Sequence, residues 1–226
     1  MWSFRILGFV LILTALFGCS KSSDVPVYAS SAEYSDNLEK AEGLSSAALE
    51  KYERGEELSA EDKSKLSEAL KIFEGLIAFT PDMFGAYFGA GKIEMALSRP
   101  EKAFVYFQNF LQLAPANPAD PLKPALSEAH VILATIYEDH GEMDKVKEHA
   151  DKAVAAYPSH PNALALKASV LLRDTSALRA DGKGDADQEK KAKKLEEEAH
   201  QLVDQALRID PNNGRAKSLH GLMVHP

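Results

Sequence analysis

The chain contains four stretches with helical spacing of apolar residues, and each of them ends at a proline. Because proline lacks a backbone N–H and its ring clashes with the preceding turn, each of these points marks the end of a helix. Recurrence of the same pattern at intervals indicates stacked copies of one supersecondary unit. The four helix ends are Phe79-Thr80-Pro81-Asp82, Leu113-Ala114-Pro115, Tyr157-Pro158 and Ile209-Asp210-Pro211-Asn212.

The composition favours helices throughout the repeated region. Ala, Leu, Lys and Glu are abundant, and 45% of the residues are hydrophobic against 27% charged, which suits a folded chain. The spacing predicts a first helix pair at Tyr34–Arg54 and Ala60–Phe79, in which Ser59 caps the second helix. A last pair joins Asn162–Arg173 to a helix that ends at Ile209. Residues 212–226 begin a further helix, which we expect to cap the array.

The repeated blocks resemble the tetratricopeptide repeat (TPR), a helix pair of about 34 residues with the pattern W-x2-L-G-x2-Y…A-x3-F…P. The resemblance covers about residues 34–222, and a generic helical bundle is the alternative. It implies an all-α, right-handed solenoid of antiparallel helix pairs, with about four repeats and a C-terminal capping helix, over residues 33–226. The best match is Phe84–Asn117, with Tyr87, Ala90-Gly91, Ala103, Phe107 and Pro115; a second is Ser127–His160, with His130, Leu133-Ala134, Tyr137, Gly141, Val146, Ala150 and Pro158.

In this family the first helix of each pair lines a concave face that binds segments of other proteins. Lys92 and Arg173 are the only cations at the corresponding positions, so a clamp for C-terminal carboxylates, which needs several, is not expected. For each position, packing between repeats or simple solvation is the alternative to partner contact. Carried onto this sequence, the partner-binding candidates are Phe88, Lys92, Met95, Val131, Thr135, Glu138, Ser169 and Arg173, with Asp139, Ala165 and Leu172 beside them.

The N-terminus carries the features of an export signal. Arg5 precedes an apolar run from Ile6 to Gly18 that is shorter than the about 20 residues needed to cross a bilayer. Leu16-Phe17-Gly18-Cys19 resembles the lipobox of bacterial lipoproteins, although Phe17 is bulkier than usual there. The resemblance implies that residues 1–18 are a signal peptide and that Cys19 is lipidated. A simple signal peptide with a chance cysteine and a buried apolar helix are the alternatives.

Two further features of the N-terminal region bear on location. In Gram-negative lipoproteins an Asp after the lipidated Cys commonly retains the protein at the inner membrane. Ser20 stands there, so the resemblance favours the outer membrane, facing the periplasm. Residues 19–32 are polar and Ser-rich, and we interpret them as a flexible tether.

Other parts of the sequence offer little chemistry of their own. The net charge of −8 argues against a nucleic-acid partner, and we find no catalytic motif and expect no cofactor or metal. A metal shared by His140 and His149 across the Gly141 turn is the weak exception. Gly85, Gly89 and Gly91 indicate close helix packing, or contact with a partner backbone. The aromatic residues around them are expected to fill the core.

Two segments interrupt the repeats. Residues 174–198, with an Asp- and Gly-rich run at 181–187, are expected to form a mobile loop that leads into a solvated helix start. The prolines at 115, 118, 121 and 124 predict an extended, stiff link between repeats.

The sequence therefore predicts a lipid-anchored protein-interaction scaffold that binds envelope proteins and helps assemble or organise an envelope complex. Three alternatives stay open: an accessory lipoprotein of the pilotin or secretin and pilus-assembly type, a self-associating structural lipoprotein, and a helical hydrolase or metal-dependent enzyme of the envelope.

Overall fold

The computed structural model describes residues 31–182 and 185–224, so Cys19, the predicted signal peptide and most of the predicted tether lie outside the described residues. Helix α1 begins at Ser31, so the last two residues of the predicted tether are helical. The described helices are α1 Ser31–Glu53, α2 Ala60–Phe79, α3 Phe84–Ala96, α4 Pro100–Leu113, α5 Lys123–Asp139, α6 Met143–Ala156, α7 Pro161–Gly182, α8 Ala186–Ile209 and α9 Gly214–Val224.

The helices pack as consecutive pairs, which confirms the all-α helical-repeat prediction. α1 packs on α2, α3 on α4, α5 on α6 and α7 on α8, and the last helix, α9, packs on both members of the final pair. Short turns join the partners, so the two helices of a pair run in opposite directions. The four predicted repeats and the capping helix are therefore present.

At three of the four successive junctions, the first helices also touch one another. α1 contacts α3, α5 contacts α7, and α7 contacts α9, whereas no two second helices make a comparable contact in the described part of the chain. The first helices therefore form one layer of the array, interrupted at the junction of α3 and α5. That this layer is the concave face stays a prediction.

The core consists of the small and large residues that recur in the sequence. Phe107 and Phe110 of α4 are fully buried, as are the small residues of α6 and α8 at the corresponding positions. The aromatic prediction holds for most members, but Phe79 is 40% exposed at the end of α2. Small side chains let antiparallel helices approach, and large ones fill the space that remains.

Two of the three α3 glycines are required by close packing. A Cβ atom at Gly89 would lie 2.7 Å from Cε1 of Phe73, and one at Gly91 would lie 3.0 Å from the Phe107 ring. Around Gly85 no atom lies within 4 Å of such a Cβ, so the packing interpretation is wrong for that residue.

Three of the turns inside the pairs share one geometry. Gly55, Ser98 and Gly141 all have positive φ, at 72°, 58° and 75°. After each of them the next backbone N–H donates to the carbonyl five residues back, as from Glu142 to Tyr137 at 2.9 Å. This is the Schellman arrangement that closes helix C-termini. The predicted turn at Gly141 is confirmed, and Ser98 adopts a backbone conformation that usually favours glycine.

The long mobile loop predicted within residues 174–198 is wrong, whereas the solvated helix start predicted after it is confirmed, since α8 begins with exposed Ala186 and Asp187. α7 continues to Gly182 and α8 begins at Ala186, so both helices are extended by the segment that was read as an insertion. Buried Thr175 packs near Ala192, and Arg179 forms ion pairs with Glu189 and Glu196 at 3.3 and 2.7 Å. These cross-helix contacts offset the weak helix propensity of the Asp- and Gly-rich sequence.

The proline-rich link is shorter than predicted. Pro124 lies in the first turn of α5, where the missing N–H of proline has no helical partner to lose. A 3-10 turn at Asp120–Leu122 precedes it. The linking segment widens the junction between the second and third pairs, since α3 and α5 make no contact comparable to those between the other first helices described.

The start of α2 is fixed by a capping box. The Ser59 hydroxyl accepts from the Asp62 N–H at 3.1 Å, and an Asp62 oxygen accepts from the Ser59 N–H at 3.0 Å. Lys51 of α1 donates to both Asp62 oxygens at 3.0 and 2.9 Å. The hydrogen bonds from Ser59, then that from Lys51, lower the pKa of Asp62 to about 2.

We expect Asp62→Asn to make the protein less sensitive to acid. The folded-state pKa lies below the unfolded value of about 3.9, so the carboxylate stabilises the fold above pH 4 and this contribution is lost as pH falls toward 2. The variant should melt a few degrees below the wild type at pH 7, and the gap should close below pH 4. Thermal melts from pH 2 to 8 measure it. Asp139→Asn, at an exposed position, is the control, and a pH-independent gap would contradict the expectation.

Candidate functional site

All eight predicted partner-binding residues lie on the first helices α3, α5 and α7. Each of them is half-buried, so none points freely into solvent and none is sealed in the core. Of the three flanking candidates, Ala165 is buried, Leu172 is half-buried and Asp139 is exposed. The structure thus brings the candidates to one layer of helices.

Lys92 is the centre of the first polar group on this layer. Its ammonium lies 2.6 Å from Glu53 of α1 and 3.4 Å from Glu128 of α5, and it stands 5.9 Å from the centre of the Phe88 ring. Burial lowers the pKa of Lys92, but the two carboxylates outweigh this effect and the pKa is raised. Burial raises the pKa of Glu128 against the opposing effect of Lys92. Three helices therefore meet at one ammonium group, across the gap between α3 and α5.

Glu138 is the centre of a second polar group. One of its oxygens accepts from Arg173 of α7 at 2.9 Å and the other from Arg215 of α9 at 3.1 Å. Arg173 also contacts the sulfur of Met143 at the start of α6. This group joins α5, α7 and α9, so it lies on the same layer as the Lys92 group and nearer the C-terminal end.

The apolar candidates contribute mainly to packing. The Phe88 ring lies 5.0 Å from the Phe110 ring and 5.8 Å from the Phe107 ring, and Val131 packs against a core cluster that α5, α6 and α7 share. The Thr135 hydroxyl donates to the Val131 carbonyl at 3.1 Å within its own helix. The polar groups at Lys92 and Glu138 therefore define the chemistry of the face.

A cleft opens at the junction of the second and third pairs. Its volume is about 650 Å³. The end of α4, the following loop and the facing sides of α5 and α6 form its walls. The side chains around it are mixed, with Gln108, Leu111, Gln112, Pro115, Leu126, His130, Leu133, His149, Lys152 and Ala156 among them.

Two histidines meet in this cleft. Nδ1 of His130 on α5 lies 3.1 Å from Nδ1 of His149 on α6, and the ring centres are 5.1 Å apart. The Tyr137 ring packs 5.4 Å from that of His149. Burial, followed by the effect of His149, lowers the pKa of His130 to about 4, and burial also lowers the pKa of His149.

The prediction that His140 and His149 share a site is wrong, because His149 lies against His130. His140 lies near Glu101 of α4, with its Nε2 atom 3.2 Å from a carboxylate oxygen, and is not brought to His149. In residues 31–182 and 185–224, no group of three or more His, Cys, Asp or Glu side chains is placed to hold a metal ion. None of the described helices combines the length and the apolar character needed to cross a bilayer.

No protein-family model and no curated protein matches the chain. Among solved structures, the chain is similar to YrrB, described as a TPR protein with an unusual peptide-binding site, at 17% identity over 84% of this chain and 96% of that chain, with a TM-score of 0.44. It is also similar to the MamA protein, at 16% identity over 80% of each chain and a TM-score of 0.43. A TPR repeats protein from Bacteroides fragilis shows 13% identity over 84% and 97% of the two chains, with a TM-score of 0.36. At such low identities and TM-scores these solved structures say nothing about the function of the chain. The assignment of an all-α helical-repeat fold rests on the helix pairing of the chain itself.

Proposed function

We propose that the protein is a non-enzymatic interaction scaffold that holds a segment of a partner protein along the face formed by its first helices. The observation that carries this proposal is the row of half-buried polar groups centred on Lys92 and Glu138. Side chains already held by neighbouring helices lose little conformational freedom when a partner binds, which favours affinity.

The charges on this face differ between its two ends. The group at Lys92 has two carboxylates for one cation, whereas the group at Glu138 has two guanidinium groups for one carboxylate. Complementarity favours a partner segment with a basic residue near α1 and α3 and an acidic residue near α7 and α9. Such a segment would be oriented as well as bound.

We further propose that the scaffold is lipid-anchored through Cys19 at the periplasmic side of the outer membrane and helps assemble an envelope complex. The motif Leu16-Phe17-Gly18-Cys19 supports the anchor, and Ser20 supports the outer membrane. Two or three acyl chains give stable membrane attachment, which a single chain does not. The residues between Cys19 and Ser31 would link the lipid to α1.

We expect the double variant Glu128→Gln/Arg215→Gln, which removes the excess charge at each end of the face, to recover at least about tenfold less of its envelope partner, since each lost charge pair with the partner costs about 1–3 kcal/mol. The bait is the chain from Ser31 onward, which contains all the buried residues that the structure describes, and the measurement is quantitative pulldown from detergent-solubilised envelopes. Lys71→Gln/Asp204→Asn changes exposed charges on the second helices α2 and α8 and is the matched control.

Equal recovery by both double variants, with unchanged melting temperatures, would show that the first-helix face is not the binding face.

The lipid anchor is tested by expressing the full-length chain in bacterial cells. Cys19→Ser should move the protein from the membrane fraction to the soluble fraction and abolish incorporation of labelled palmitate, whereas Ser20→Ala should do neither.

A further inference from the structure

The His130–His149 pair in the junction cleft is unused by the proposed scaffold function. Its two rings come from α5 and α6, and both are half-buried, with the cleft on one side of them. They belong to the same helix pair, so the packing of α5 on α6 brings the two side chains together. The two Nδ1 atoms lie 3.1 Å apart.

This separation matches the bite of two imidazole ligands on one metal ion. Zn²⁺ lies about 2.0–2.1 Å from histidine nitrogens. A metal at this distance from two nitrogens 3.1 Å apart would form an N–metal–N angle of about 98°, between the octahedral and tetrahedral values. In the absence of a metal the same separation allows one Nδ1–H to donate to the other Nδ1.

The charges around the pair are compatible with a cation. Lys152 lines the cleft, but its ammonium lies 2.8 Å from Glu148, and Lys145 lies 3.2 Å from the same carboxylate. Tyr137 contributes a neutral ring from α5, and the nearby α4 side chains Gln108 and Gln112 are also neutral. Burial lowers the pKa of both imidazoles, which favours the neutral form that a metal needs.

We propose that Nδ1 of His130 and Nδ1 of His149 bind one divalent cation of the borderline class, such as Zn²⁺ or Cu²⁺. Imidazole nitrogen is a preferred ligand for these ions, whereas Ca²⁺ and Mg²⁺ prefer oxygen. No third metal-binding side chain is placed beside the pair in the part of the chain that the structure describes. Both histidines line the cleft, where water or a donor group of a bound molecule would complete the coordination.

The test uses the full chain in detergent, without a histidine tag, and isothermal titration with ZnCl₂. We expect one zinc per chain for the wild type, and a loss of affinity of at least about tenfold for His130→Gln and for His149→Gln, since each removes one of two protein ligands. His140→Gln, which alters an exposed histidine near Glu101, is the matched control and should bind as the wild type does.

A second measurement needs no substitution. Titration of the ¹⁵N-labelled wild type with zinc should shift the Nδ1 resonances of His130 and His149 and leave those of the remaining histidines unchanged. MgCl₂ should shift none of them. Circular dichroism establishes that the variants are folded. The proposal is overturned if the wild type binds no zinc, if both folded variants bind as tightly as the wild type, or if the zinc-dependent shifts fall on other histidines.

Discussion

Phe107→Ala is expected to lower the free energy of unfolding by about 3–5 kcal/mol, the range found when a buried aromatic ring is removed. The ring is fully buried in the second pair and lies 3.0 Å from the position that a Cβ of Gly91 would occupy. It also makes an edge contact with the Phe88 ring at 5.8 Å. Because Gly91 offers no side chain to fill the space, the cavity would stay open. Urea denaturation followed by circular dichroism measures the loss.

Val105→Ala on the same helix is the matched control. Val105 is 55% exposed, so its truncation is expected to change the free energy of unfolding by less than about 0.5 kcal/mol. Similar losses for the two variants would mean that α4 does not pack as described.

Since α3 and α5 lack the contact that joins other first helices, we also expect α1–α4 of the Phe107→Ala variant to exchange amide protons faster than α5–α8.

The repeat architecture could be predicted because its signals are local. Proline at a helix end, glycine with positive φ at Gly141 and an acidic residue three positions after Ser59 each act within a few residues of the chain. The small and large residues of α4 recur at a spacing that places them on one face. None of these signals depends on how the pairs are arranged in space.

The loop prediction at residues 174–198 failed because local composition was outweighed by contacts between helices. The Asp- and Gly-rich run predicts a long loop, yet α7 extends to Gly182 and α8 begins at Ala186. Burial of Ala192 against Thr175 and the ion pairs of Arg179 stabilise the two helix extensions. Propensity is a weak guide where a neighbouring helix supplies a partner.

Part of each polar group on the first-helix face could be named from the sequence, and its role in partner binding stays a prediction. Lys92, Glu138 and Arg173 were found through the family pattern, whereas their partners Glu53, Glu128 and Arg215 lie on other repeats and carry no local signal. The family pattern names positions within a repeat, but the partner of a charge depends on how repeats stack. The pattern therefore does not predict contacts between residues distant in sequence, such as the ion pair of Glu138 with Arg215.

The sequence does carry a signal for the histidine pair, namely the distance of each histidine from the turn between α5 and α6. In an antiparallel pair, residues at equal distances from the turn face one another. His130 and His149 lie symmetrically about the turn at 139–141, as do Ser127 and Ala153, whose hydroxyl and carbonyl are hydrogen-bonded at 2.8 Å. Gly91 and Phe107 are related in the same way about the turn at Ser98. Counting outward from the turn therefore predicts the His130–His149 contact from the sequence alone.

Gly89→Ala is expected to destabilise the protein although alanine is the better helix former. The substitution alone should gain up to about 1 kcal/mol of helix propensity. The new Cβ would, however, lie 2.7 and 2.9 Å from the Cε atoms of Phe73, closer than real Cβ contacts come. Phe73 is buried in the first core cluster, so its ring has little room to move. Overpacking of this kind costs about 1–3 kcal/mol, and the net effect should be destabilising.

Gly85→Ala separates the two contributions on the same helix. No atom lies within 4 Å of a Cβ at Gly85, so this substitution should stabilise the protein by about 0.5–1 kcal/mol. If urea denaturation shows that Gly85→Ala raises and Gly89→Ala lowers the free energy of unfolding, α3 packs on α2 as closely as the structure describes.

A double-mutant cycle adds a direct test of the Gly89 contact. Phe73→Leu removes the ring atoms that meet the new methyl group, so Gly89→Ala should cost less in that background. If Gly89→Ala stabilises the protein as much as Gly85→Ala does, then α3 lies farther from Phe73, and the contact that joins the first pair to the second is looser than described.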